Sequence, residues 1–143
     1  MHVEDSALVS TLSEQLGGPP LLGAVYARFD TPLSFTRMLT PLGNYLIARP
    51  AARAEARKVT EETDVPLDAA VVFGVSTESL HVWSADPMLS QVHEHLGEVP
   101  RDTIATVSTT AGRTWQTLVV TVTNVHAIEV EARGGVHDFV SAF

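Results

Sequence analysis

His93-Glu94-His95 is the stretch of this sequence closest to a metal-binding pattern. On an extended strand, alternate side chains share a face, so the two imidazoles would lie together at a spacing suited to shared ligation. Only His81, His126 and Glu98 offer themselves as a third ligand, and no motif ties them to the pair. The plainer reading, an exposed polar loop, outweighs a metal site, because such short matches arise often by accident. Glu129 and Glu131 are a second candidate. Two carboxylates on one face can push their pKa values apart and serve as acid and base. Alternation on a solvated sheet face explains the same spacing more simply. Gly74-Val75-Ser76 continues with Thr77 and Glu78, which breaks the nucleophile-elbow pattern. The glycine pairs at 17–18 and 134–135 match neither a dinucleotide nor a phosphate loop and read as breakers. No catalytic residue, metal site or cofactor is therefore assigned, and the expectation is that the protein is not an enzyme.

Charge and aromatic placement point instead to contact. Residues 37–58 hold five bases (Arg37, Arg49, Arg53, Arg57, Lys58) and one acid, Glu55. That segment is net +4, against -12 for the remainder of a chain whose total is -8. A basic helix beside an apolar face can dock an anionic partner or a membrane interface. Arg57 with Glu61 and Lys58 with Glu62 stand at i, i+4, which favours a solvated helix paired with its own protein. Trp83 falls opposite Leu80 and Val82 on a strand. An outward indole would anchor an interface well, whereas a covering loop or the middle helices would make it ordinary core. Trp83, Arg53 and Arg57 are the candidate contact residues.

These side chains need elements to hold them. Val3, Leu8, Leu12 and Leu16 follow helical spacing, with Glu4 and Asp5 at the favourable N-terminal end. Gly17-Gly18-Pro19-Pro20 ends that helix, and Leu21 to Phe29 alternates as a strand. Phe35, Met38, Leu39, Leu42, Tyr45 and Leu46 trace an apolar helical face, interrupted at Pro41. Pro50 can open a second helix reaching about Glu62, with Ala52, Ala56 and Val59 on a thin apolar side. From Asp68 the period becomes two. Val71, Phe73 and Val75, then a Ser76-Thr77-Glu78-Ser79 turn, then Leu80 to Trp83, predict a hairpin. Asp86-Pro87 opens what reads as a connecting loop to Leu96, followed by one strand within Glu98–Thr110. Trp115 to Thr123 and Val125 to Arg133 predict two more strands, separated by a turn at Asn124. Val136, Phe139, Val140 and Phe143 give a short closing helix that must dock on the sheet to be stable.

This order of elements resembles the bacterial pleckstrin-homology-like domains and looks most like actinobacterial proteins of that kind. The resemblance is carried by Val71-Val72-Phe73-Gly74-Val75-Ser76-Thr77 and Leu80-His81-Val82-Trp83. It continues through Leu96-Gly97-Glu98-Val99-Pro100-Arg101-Asp102-Thr103-Ile104 and the closing Asp138-Phe139-Val140. It covers the C-terminal half only. It implies a bent antiparallel sheet or partly open barrel capped by the C-terminal helix. The Thr77-Glu78-Ser79 turn carries no base, so phosphoinositide binding does not follow from the resemblance.

Composition sets the outer bounds. A chain of 143 residues is the size of one domain with its own core. The expected layout is a single α+β domain over 1–143, with an N-terminal helix in 1–18, a helical insertion in 31–66, and the sheet with its closing helix in 67–143. Cysteine is absent, which excludes disulfide and thiol chemistry. The start has no basic region leading into an apolar run, and no stretch of about 18 apolar residues occurs, so a soluble cytoplasmic protein is expected, and the resemblance implies a bacterial one. The negative total and the lack of a basic stripe with interleaved aromatics argue against nucleic acid. The function expected is a non-enzymatic binding or scaffolding module with a protein partner or a second copy of itself. Two alternatives stand beside it. One is a small-molecule-binding protein or enzyme of the cone-shaped α+β kind, its pocket drawing on Tyr26, Tyr45, His81 and His126. The other is peripheral membrane attachment through residues 35–58, which is less favoured.

Overall fold

The computed structural model describes residues 3–17, 20–29, 49–86, 91–110, 116–123, 126–134 and 136–143. Among them are three helices, α1 (Val3–Leu16), α2 (Arg49–Thr63) and α3 (Val136–Ser141). Seven strands form one sheet: β1 (Gly23–Arg28), β2 (Ala70–Val75), β3 (Ser79–Asp86), β4 (Gln91–Pro100), β5 (Ile104–Thr110), β6 (Gln116–Val122) and β7 (Ala127–Arg133). All pairings are antiparallel, in the order β4-β3-β2-β1-β7-β6-β5. The fold is α+β, with an open antiparallel sheet, helices in the N-terminal half and a short C-terminal helix. The helical reading of residues 35–46, and Tyr45 with it, lies outside the described residues.

Alternation sorts the side chains onto two faces. Val25, Ala27, Val71, Phe73, Val75, Leu80 and Val82 meet Leu118, Val120, Ile128 and Val130 in the larger core. Ala56 and Val59 of α2, and Val136 and Phe139 of α3, close over that face. The opposite face carries a smaller cluster of Leu21, Ala24, Val72, Trp83 and Ala85. Leu12 of α1 is buried in it, with Val9 and Leu16 at its margin. β2 is covered on both sides, and its six residues are all buried. This is why it reads Ala-Val-Val-Phe-Gly-Val rather than as a mixed strand. α1 ends at Gly17, whose φ of 64° suits glycine and whose N–H donates to the Ser13 carbonyl at 3.3 Å. The Ser13 hydroxyl then accepts from the Leu21 N–H at 2.9 Å, tying the helix to the strand that follows.

Two expectations are corrected in the middle of the sheet. Residues 91–96 are not loop; they belong to β4, which is held against β3. Glu98–Thr110 does not hold one strand alone. Pro100 ends β4, a single 3-10 turn occupies Arg101–Thr103, and β5 starts at Ile104. Proline has no N–H to give a ladder, so a strand that reaches it stops there.

That short turn bends the whole sheet. β4 and β5 are the two edges, yet four residue steps connect Pro100 to Ile104. Four steps reach at most about 14 Å. Six interstrand spacings across a flat sheet would separate the edges by about 29 Å. The sheet must therefore curl until its edges approach at this end. Arg101 pins the corner: its N–H donates to the Glu78 carbonyl at 2.8 Å, and its guanidinium donates to the carbonyls of Ser76 and Ala142. The guanidinium also lies over the Phe143 ring, 5.3 Å from its centroid. α3 contacts both β1 and β5 and so closes the curled sheet.

Candidate functional site

The titratable side chains that come together are on β3 and β4. Two irregularities in β4 place them. Val82 pairs with Gly97 and Trp83 with His95, so β4 carries one residue more than β3 between these pairs. Without that bulge, residues 95 and 98 would fall on opposite faces of a regular strand. With it, Glu98 pairs with His81 and His95 with Trp83, and all four lie on the face covered by α1. A second shift lies between Trp83 and Ala85, which pair with His95 and Val92. There Ser84 meets the extra backbone: its hydroxyl accepts from the Glu94 N–H at 3.1 Å.

His81 sits in the centre, only 8% exposed. Its Nδ1 is 3.2 Å from His95 Nε2, and its Nε2 is 3.5 Å from Glu98 Oε2. The imidazole centroids are 5.4 Å apart, and the Trp83 ring stands edge-on to His95 at 5.2 Å. Burial pushes the His81 pKa below the ordinary histidine value of 6.5. Glu98 opposes this by favouring the charged ring, and His95 adds slightly to it. A neutral His81 that donates Nε2–H to Glu98 leaves Nδ1 as an acceptor, which His95 Nε2–H can fill. The result is a carboxylate–imidazole–imidazole line running from the surface into the sheet and out again. Such a line can hold a proton or present a nitrogen lone pair.

Of the residues marked by spacing, the structure joins His95 with His81 and Glu98. The β4 bulges break the alternation that would have placed His93 beside His95. Among the described residues, no three His, Asp or Glu side chains converge as ligands for one ion. Glu131 does not act with Glu129 as an isolated carboxylate pair; it forms an ion pair with Arg28 at 3.0 Å, across the β1–β7 pairing. His126 precedes β7, three strands from His81.

The contact candidates separate. Trp83 lies on the face opposite Leu80 and Val82, as alternation predicts, but is 1% exposed. Among the described residues it is covered by α1 and Leu21, so the indole is core there and not an outward anchor. The N-terminal helix brings apolar Leu12 onto a strand far away in sequence, a contact that local pattern does not show. Arg53 and Arg57 are exposed on α2, over the other face of the sheet. Arg53 approaches Asp68 at 3.8 Å. The three residues do not share one surface.

The two sheet edges differ sharply. β4 carries Glu94, Glu98, Pro100 and two register shifts, all features that hinder pairing with another strand. β5 reads Ile-Ala-Thr-Val-Ser-Thr-Thr, with no charge, proline or glycine. It is paired to β6 alone among the described residues, in unbroken register from Thr106 to Thr110. Ala105, Thr106 and residues 108–110 are exposed. Sequence reading allows self-association through strand edges but does not say which strand lies at one, because strand order is not a local property.

The chain matches no protein-family model, no curated protein and no solved structure.

Proposed function

We propose that this protein is a non-enzymatic binding module of the bacterial cytoplasm, with a pleckstrin-homology-like sheet, that associates by adding a strand to β5. The observation that carries this reading is the contrast between the edges: β4 is blunted and β5 is not. In an antiparallel strand, alternate residues turn both N–H and C=O away from the existing neighbour. An uncharged, β-branched edge therefore offers a ready template for another strand.

The partner that fits is a second copy of the chain. About a two-fold axis at Ser108, Ser108 would face Ser108, Val107 would face Thr109, and Thr106 would face Thr110. Every pair is neutral, and Thr–Thr and Ser–Ser pairs suit cross-strand contact. The curl of the sheet and the capping by α3 support the pleckstrin-homology-like reading. Among the described residues nothing comparable favours membrane attachment, and residues 35–48 lie outside them. The exposed side of α2 mixes Arg53, Arg57 and Lys58 with Glu55, Glu61 and Glu62, the pattern of a solvated helix.

Sedimentation of wild type, Ser108→Glu and Ser108→Lys tests the reading. One strand pair is a small interface, so wild type should dimerise at roughly 0.1–1 mM protein. Ser108 is exposed and faces away from the larger core, so both variants should fold. Each alone sets like charges opposite one another and should be monomeric. Mixed together they should form a heterodimer. A wild type monomeric at about 1 mM, or variants that dimerise as well as wild type, would overturn the proposal.

A further inference from the structure

The geometry points to a two-histidine site for a borderline transition-metal ion, Zn2+ in the first instance, built from His81 Nδ1 and His95 Nε2. The two nitrogens are 3.2 Å apart and face each other. With zinc–nitrogen bonds of about 2.05 Å, such a pair subtends about 100° at a shared ion, close to the tetrahedral angle. The ion would lie about 1.3 Å off the line joining the nitrogens on the same bond length. His95 is exposed, with the Trp83 edge on one side of its ring, so the ring can turn the small amount this requires.

Glu98 is placed as the outer partner such sites use. A metal-bound histidine usually gives its other N–H to a carboxylate, which fixes the tautomer and raises the basicity of the ligating nitrogen. His81 Nε2 lies 3.5 Å from Glu98 Oε2, on the far side of the ring from His95. Glu98 thus selects the form of His81 whose Nδ1 lone pair is available. Backbone holds the ligands in place: both are on paired strands, and the bulge at Gly97 brings Glu98 and His95 to the same face. Imidazole nitrogens without thiolate suit Zn2+, Cu2+ or Ni2+ rather than the hard ions Mg2+ and Ca2+. No third protein ligand stands among the described residues, so water completes the coordination sphere and an added ligand can displace it. The simpler use of the same geometry is a direct imidazole–imidazole hydrogen bond, and it differs in one respect: it predicts no response to metal.

Titration of the full chain with zinc chloride, followed by NMR of the imidazole protons, separates the two. The expected result is saturation at one equivalent, with the His81 and His95 resonances moving together while those of His93, His126 and His137 stay in place. His95→Gln should abolish the response and His93→Gln should leave it intact. Glu98→Gln keeps both ligands and should weaken binding by about 10–100-fold. If His95→Gln does not fold, Glu98→Gln decides the matter. Zinc that moves only the other histidines, that binds His95→Gln as tightly as wild type, or that is indifferent to Glu98→Gln would leave an ordinary hydrogen-bonded pair and overturn the proposal.

Discussion

Gly97→Ala is the substitution that most directly probes how the fold positions the histidine cluster. Gly97 has a φ of 157°, in a region that residues with a Cβ rarely occupy. A Cβ built there meets Pro66 Cγ at 3.1 Å, closer than ordinary contact. Two effects oppose one another. Replacing glycine lowers the entropy of the unfolded chain and stabilises by about 0.4–1 kcal/mol where the native backbone accepts alanine. Holding a non-glycine residue in this conformation costs about 1–3 kcal/mol. Strain should win, giving a net loss of about 1–2 kcal/mol once both are counted. At about 2–4 °C per kcal/mol for a chain of this size, Tm should fall by about 2–8 °C. Urea denaturation at fixed pH, with thermal melting beside it, measures both numbers. A variant equal to wild type, or more stable, would show that the β4 bulge does not depend on glycine and would refute the reasoning.

Gly23→Ala probes the docking of the C-terminal helix. Its Cβ would stand 3.0 Å from Phe139 Cα and N and 3.1 Å from the Asp138 carbonyl carbon. These are backbone atoms, so α3 itself must retreat, at a cost of about 1–3 kcal/mol for overpacking; a denaturation midpoint no lower than that of wild type would count against so close an approach. The buried His81 predicts a pH dependence in metal-free buffer. Its pKa is lowered in the fold, with Glu98 and His95 the charged groups facing it, so below about pH 6.5 the unfolded chain takes up the proton first. The stability that neutral His81 confers is fully present above that pH and is lost as pH falls from 6.5 through the lowered native pKa. Urea unfolding at pH 7.5 and 5.5 should show a drop that is smaller in His81→Gln, and equal drops in the two proteins would rule this out.

Much of the framework is legible in the sequence because it depends on neighbours along the chain. The hairpin of β2 and β3, the inward Leu118, Val120 and Val122, and the alternation of Ile128 and Val130 against Glu129 and Glu131 all follow from period two. The first helix runs from Val3 to Leu16 and stops at the glycine, as its caps predict. Arg49–Thr63 is helical where proline and the apolar spacing of Ala56 and Val59 place it, and those residues do reach the core.

What the tertiary structure decided is everything that depends on a break in a period or on a distant partner. Strict alternation would send His95 and Glu98 to opposite faces, and only the extra residue in β4 brings both beside His81. That bulge is set by pairing with β3, which no local spacing encodes. Alternation likewise gives Trp83 its face but not its cover, since α1 comes from the far end of the chain. The polarity of a strand can be read residue by residue; whether it is an edge cannot. β5 lies last in the sheet because two chain-distant pairings, β1 with β2 and β1 with β7, join the β2–β4 strands to the β5–β7 strands through β7 and not through β5. The sequence by itself determined which segments extend or coil and which side chains turn inward, since these are settled within a few residues. Which surfaces remain for another molecule was settled only when those segments packed, because exposure is a property of the assembled sheet.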